Sequence, residues 1–230
     1  MDDQFTRLRL LIGEDKLNII KSKRVLVFGL GGVGGNVCDA LVRSGIEHID
    51  IVDNDTVNIT NINRQLIANM NNIGRLKVDV MEEHLKSLNP NVVVNKFNIF
   101  YLPSNTNVFD FSQYDCVIDA IDTVSAKIDI IEKCHGLNVP VISALGCGNK
   151  MNPTMLEVSD ISKTSYDPLA KVLRRELRKR NINHLKVVYS KELPIKHVDN
   201  LDGRTPGSSA FVPPVAGIII ASEVIKFFIS

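Results

Sequence analysis

Two periods of apolar residues run through the first 145 positions of this chain. Residues 24–28, Arg-Val-Leu-Val-Phe, form a short β-rich run that ends in glycines. Apolar positions then recur at helical spacing, at Val33, Val37, Ala40 and Leu41, and stop at Gly45. A second strand-like run occupies 48–53. Strand, glycine turn, helix and strand predict a βαβ unit, whose parallel strands require a crossover and helices on both sheet faces. The alternation continues with a helix over 74–88, strands over 92–97 and 115–120, a helix over 124–136 and a strand over 139–143.

Outside that region the pattern changes. Residues 6–20 predict a helical arm, weakened at Gly13. After Gly146 the chain breaks into short pieces suited to antiparallel strands. Asp167-Pro168 then supplies an N-cap and a first-turn proline for a helix with an apolar stripe at Leu169, Val172, Leu173 and Leu177. Residues 190–210, rich in Pro, Gly and Ser, predict a long surface loop that covers or completes a site, and a last helix is expected from near Val215, after Pro213-Pro214. The expected fold is α/β: a Rossmann-like, mostly parallel sheet with helices on both faces and a short antiparallel extension in the C-terminal half. One domain is expected over 1–230, with an arm at 1–22, a nucleotide-binding core at 23–145 and a substrate-binding extension with the last helix at 146–230.

Composition narrows the possible partners. Lys and Arg total 27 against 26 Asp and Glu, so a net charge of +1 gives no whole-surface attraction to nucleic acid or membrane. The four cysteines lack the close pairs of zinc or redox motifs, and the five histidines form no ligand pattern. The longest apolar run, 215–221, is short of the ~20 residues that cross a bilayer, and the N-terminus carries charges where a signal peptide would be apolar. A reduced, cytoplasmic, soluble protein without structural zinc is expected.

The chemistry gathers around the first βαβ unit. Gly29-Leu30-Gly31-Gly32-Val33-Gly34 fits Gly-x-Gly-x-x-Gly between strand and helix, where absent side chains let backbone N–H groups approach phosphate. Asp53 closes the next strand, where a carboxylate accepts from ribose hydroxyls. This pair suits NAD, FAD or ATP alike, and a turn that only packs helix on strand is the alternative. Beyond it lie Asp55, then Asn61-Ile62-Asn63-Arg64-Gln65, then Gly74-Arg75-Leu76-Lys77. Cleavage of a triphosphate at its α-phosphorus builds charge that fixed cations stabilise, which makes Arg64 and Lys77 candidates; taken singly, each is an ordinary surface cation. Asp122, past the strand at 115–120, is placed either to hold Mg²⁺ or to cap the following helix.

As an ordered set, the glycine turn, Asp53-x-Asp55-Thr56-Val57, Thr60-Asn61-x-x-Arg64-Gln65, Gly74-x-x-Lys77 and Asp119-x-x-Asp122 resemble the ubiquitin-activating-type adenylating enzymes. The resemblance implies ATP with Mg²⁺ and a homodimer. It places Asp53 on the ribose, Asn61, Arg64, Gln65 and Lys77 around the phosphates, and Asp122 at the metal. Phe5-Thr6-Arg7 is similar to an N-terminal element whose arginine enters the partner's site, so Arg7 is the expected arginine finger. The second half, with Gly148-Asn149-Lys150-Met151-x-Pro153, Asp160-Ile161-Ser162-Lys163-Thr164, Asp167-Pro168-Leu169-Ala170-Lys171 and Gly207-Ser208-Ser209-Ala210-Phe211, resembles the tRNA threonylcarbamoyladenosine dehydratases. That likeness implies adenylation of the threonylcarbamoyl carboxylate on a tRNA adenosine, followed by ring closure.

A local net charge of +6 over 162–186 agrees with an RNA partner. Lys171, Arg174, Arg175, Arg178 and Lys179 are the candidate tRNA contacts, and a solvated helix face is the alternative. Two rival functions stay open at the level of sequence. One is adenylation of the C-terminus of a sulfur-carrier or ubiquitin-like protein. The other is a non-catalytic nucleotide-binding scaffold for a sulfurtransferase-system partner. Cys147, between two glycines, reads most simply as a small residue in a tight turn.

Overall fold

The protein, seen as a computed structural model, is described over residues 2–195 and 206–230. Seven strands in the described residues form one sheet: β1 Arg24–Phe28, β2 His48–Val52, β3 Val93–Phe97, β4 Cys116–Asp119, β5 Val141–Ala144, β6 Leu156–Asp160 and β7 Lys186–Ser190. Their order is β3-β2-β1-β4-β5-β7-β6, and every neighbouring pair is parallel except β6 with β7. The mostly parallel sheet with an antiparallel C-terminal extension is therefore found as the sequence predicts. Strand order reverses between β1 and β4, and in such sheets a crevice opens beyond the carboxyl ends at that point.

The helices are α1 Thr6–Ile12, α2 Glu14–Lys21, α3 Gly34–Arg43, α4 Lys77–Leu88, α5 Val124–Gly136, α6 Pro168–Arg178 and α7 Val212–Ile229. Alternate residues of β1 face opposite layers. Val25 and Val27 join the core formed with α3, α4 and α7, whereas Leu26 and Phe28 join a second core with α5 and the rings of Tyr101, Phe109 and Phe111. A third cluster fills the space between α5, α6 and β7. Both faces of β1 are thus buried, which explains its unbroken apolar run.

The strand ends differ from expectation by at most two residues, and three helix boundaries differ for a local reason. The arm over 6–20 is two helices, because Gly13 at φ +85° breaks the helical path. The helix expected from 74 begins at Lys77, since the preceding residues pair with 55–57: Val57 N–H donates to Arg75 O at 2.8 Å and Lys77 N–H to Asp55 O at 3.0 Å. The last helix begins at Val212 and takes Pro213 and Pro214 into its first turn, where their missing N–H groups need no partner.

That last helix is long and apolar enough to cross a membrane by length and composition alone. Here Ala216, Ile220 and Val224 are buried in the main core, and a Cβ on Gly217 would lie 2.3 Å from Val33 O of the α3 entry. One face of the helix is therefore a core face, while Ile218 and Phe227 on it are exposed. Of the loop expected at 190–210, residues 196–205 lie outside those described. Where the chain returns, Gly207 N–H donates to Asn149 Oδ1 at 2.6 Å, and Asn149 N–H to Gly207 O at 2.8 Å.

Candidate active site at the carboxyl ends of the strands

The glycine turn has a shape that side chains would block. Gly29, at φ +88°, turns the chain out of β1, and a Cβ there would lie 2.7 Å from Ala120 O. A Cβ on Gly34 would lie 1.8 Å from Gly29 O, so the first turn of α3 rests directly on the loop backbone. A Cβ on Gly31 would meet nothing within 4 Å among the described residues, and Gly31 opens into a cleft of about 580 Å³. Gly32 also lines this cleft, which lies at the strand-order reversal.

Asp53 fixes the loop from the β2 side. Its Oδ2 accepts from Leu30 N–H at 2.7 Å, and its Oδ1 from Asp55 N–H at 2.8 Å. Burial pushes its carboxyl above the usual range, and the positive charge of Lys77 opposes that shift. Lys77, 4% exposed, donates to Asp55 Oδ2 at 2.7 Å and stands 3.9 Å from Asp53 Oδ1. The pairing of 55–57 with 74–77 brings these residues together across 22 positions of sequence.

The third wall comes from the turn after β2. Asn58 and Asn61 cap each other's backbone, with Asn58 N–H donating to Asn61 Oδ1 at 2.9 Å. This turn directs Asn61, Arg64 and Gln65 into the cleft. The Arg64 guanidinium donates to Thr60 O and Asn63 Oδ1, both at 3.0 Å, and meets no carboxylate within ion-pair distance among the described residues. Gln65 is 6% exposed, and its buried Oε1 has no hydrogen-bond partner among the described residues.

Asp122 reaches the cleft from the turn after β4. Capping of α5 is not its role: Thr123 holds the N-cap position and no side chain caps the helix. No cluster of three or more His, Cys, Asp or Glu side chains suited to a metal occurs among the described residues. A single exposed carboxylate nevertheless fits magnesium, which takes one or two carboxylates together with substrate phosphates and water.

Other expected residues lie elsewhere. Arg7 is exposed on α1 and does not line its own chain's cleft. On α6, Arg174 turns inward to donate to Ile161 O at 3.3 Å and Thr164 O at 3.1 Å, and also to Thr164 Oγ1. Lys171, Arg175, Arg178 and Lys179 stay exposed; Arg175 and Lys179 pair with Glu176.

Sequence reasoning missed two walls. Ile99 and Tyr101 form an apolar side suited to the face of a base, and they continue the period-two pattern of Phe97 past the end of β3. The turn at 144–148 forms the other, with Leu169 of α6 beside it. Cys147 in that turn is 8% exposed, and burial pushes its thiol up to about 11. Cys147→Ser is accordingly expected to keep the turnover rate within about a factor of two, since a neutral thiol in a turn contributes packing only. Iodoacetamide should leave Cys147 unmodified in the folded protein, as read by peptide mass; rapid labelling would contradict this.

The fold, the glycine turn and the converging cations and carboxylates define a nucleotide-binding α/β site. The chain belongs to the ThiF family, whose model matches residues 5–230. It is 41% identical over 236 residues to the tRNA threonylcarbamoyladenosine dehydratase of Bacillus subtilis (strain 168), covering 96% of this chain and 93% of that relative. Among solved structures it is similar to the E. coli tRNA N6-threonylcarbamoyladenosine dehydratase in complex with AMP, with a TM-score of 0.91, 32% identity, and 98% and 93% of the two chains covered. The same enzyme in complex with ATP gives a TM-score of 0.90 at 32% identity, with the same coverage.

Proposed function

We propose that this protein is an ATP-dependent dehydratase acting on N6-threonylcarbamoyladenosine in tRNA, in the cytoplasm. The observation that carries the reading is one cleft holding the glycine turn, Asp53, Arg64, Lys77 and Asp122, in a chain alike over nearly its whole length to enzymes of that name.

ATP lies with its ribose hydroxyls donating to Asp53 and its phosphates along the glycine turn, at the start of α3. A carboxylate oxygen of the threonylcarbamoyl group bonds to the α-phosphorus as the bond to pyrophosphate breaks. Lys77 and Arg64 stabilise the charge gathering on the leaving group and on the attacked phosphorus, where fixed cations act most strongly in the transition state. Asp122 would hold Mg²⁺, which supplies further neutralisation of phosphate charge. A nitrogen or oxygen within the same substituent then attacks the acyl carbon, loses its proton and expels AMP. The oxygen that departs with AMP and the hydrogens lost amount to one water.

Two further parts complete the reading. The exposed cations of α6 guide the tRNA backbone, an interaction that salt weakens. A second copy of the chain supplies Arg7, consistent with an α1 that leaves Leu10 79% and Leu11 81% exposed. If so, Arg7→Ala and Lys77→Ala proteins, each inactive alone, should regain about a quarter of the wild-type rate after mixing and exchange, because half the dimers would carry one complete site. No recovery would remove Arg7 from the partner's site.

AMP release is the test of the activity itself. It should depend on tRNA bearing the threonylcarbamoyl group. Release driven instead by a carrier protein ending in Gly-Gly would overturn the RNA assignment.

A further inference from the structure

Behind the cleft lies an ion pair that never reaches solvent. Asp119, the last residue of β4, and Lys127 of α5 both have fully buried side chains. Lys127 Nζ donates to Asp119 Oδ2 at 2.9 Å, to Ser143 Oγ at 3.3 Å and to Ala144 O at 2.8 Å. Ser143 Oγ donates to the same Asp119 oxygen at 2.5 Å, and Asp119 Oδ1 accepts from Ile121 N–H at 3.3 Å.

A buried pair of this kind is a poor way to gain stability, because desolvation of both charges offsets their attraction and apolar residues of similar volume often do as well. Its connections say more. Through Asp119 it fixes the turn that carries Ile121 and Asp122, and through Ser143 and Ala144 O it fixes the end of β5 from which the 144–148 wall leaves. Ala120, between them, is the backbone on which Gly29 rests, 2.7 Å from where its Cβ would be. Three walls of the cleft therefore meet at one charged cluster lying outside its lining.

We infer that Asp119, Lys127 and Ser143 are positioning residues that hold the Asp122 turn, the glycine turn and the 144–148 turn in mutual register for adenylation, an inference that rests on the proposed ATP site. Transition-state stabilisation depends on such register, and a displacement of about 1 Å can cost about 100-fold in rate. Substrate binding, spread over many contacts, is less sensitive.

The test is the double variant Asp119→Leu with Lys127→Met, which replaces the pair by apolar groups, assayed in the full chain for AMP formation on threonylcarbamoylated tRNA. The expected result is a melting temperature within about 5 °C of wild type, a KM for ATP within about threefold, and kcat lower by about 100-fold. A folded variant that keeps kcat within about threefold would overturn the inference, as would a loss of activity that only tracks the unfolded fraction. Should the double variant not fold, Ser143→Ala decides: it removes one hydroxyl and leaves the ion pair. A kcat lower by about tenfold at unchanged KM supports positioning, and an unchanged kcat overturns it. Failure of the ATP reading has a different signature, since the wild-type protein would then form no AMP.

Discussion

Lys77→Ala should lower AMP formation by about 100-fold to 1,000-fold while leaving the chain folded. Removal of one fixed transition-state donor costs rates of this order, and Lys77 is the most deeply buried cation of the cleft lining. Its present partner, Asp55, is largely exposed and returns to water when the lysine is gone. Asp53 keeps both backbone donors, Leu30 N–H and Asp55 N–H, when the lysine is gone. The helix should tolerate alanine at its first position. The melting curve should therefore move little. Activity near the wild-type level would remove Lys77 from the chemistry.

Gly34→Ala should act in the opposite way, through the fold. Its Cβ would fall 1.8 Å from Gly29 O, a backbone atom that cannot rotate aside, and 3.3 Å from the Ala120 side chain. The turn between β1 and α3 would have to open, at a cost of about 3 kcal/mol or more. For a domain of this size that is a fall in melting temperature of about 6–12 °C. Gly31→Ala is the control. Its methyl meets nothing within 4 Å among the described residues and lies at the cleft, so stability should hold while ATP affinity, measured by calorimetry, falls. Equal stability of the two variants would show that α3 does not rest on the loop as described.

The parts legible in the sequence were those in which neighbours along the chain are also neighbours in space. The β1 run, the glycine turn and α3 are contiguous, and their periods alone gave the βαβ unit and the place of Asp53. Asp167 caps α6 as its position before Pro168 suggests, through Ala170 N–H at 2.9 Å. Long-range pairing was hidden. Arg75 and Leu76 carry helix-compatible side chains, and only the pairing of this segment with 55–57 keeps them out of the helix and delivers Lys77 to Asp55. Lys127 sits in a helix whose flanking residues Ala126, Ile128, Ile130 and Ile131 are buried. A lysine at such a position calls for a buried acceptor, but nothing local reveals that it is Asp119.

Arg174 shows the limit of charge counting. It adds to the local positive balance like its neighbours, yet its guanidinium is used to hold the carbonyls of Ile161 and Thr164. Composition reports how many cations a segment has and not which of them face solvent.

Nucleoside mass reads the reaction directly. Threonylcarbamoylated tRNA would be incubated with the protein, ATP and Mg²⁺, digested under mild conditions that preserve a labile ring, and its nucleosides weighed. The expected product is a modified adenosine one water lighter, with AMP formed in equal amount. An unchanged nucleoside mass from a protein that still turns ATP into AMP with another carboxylate would contradict it.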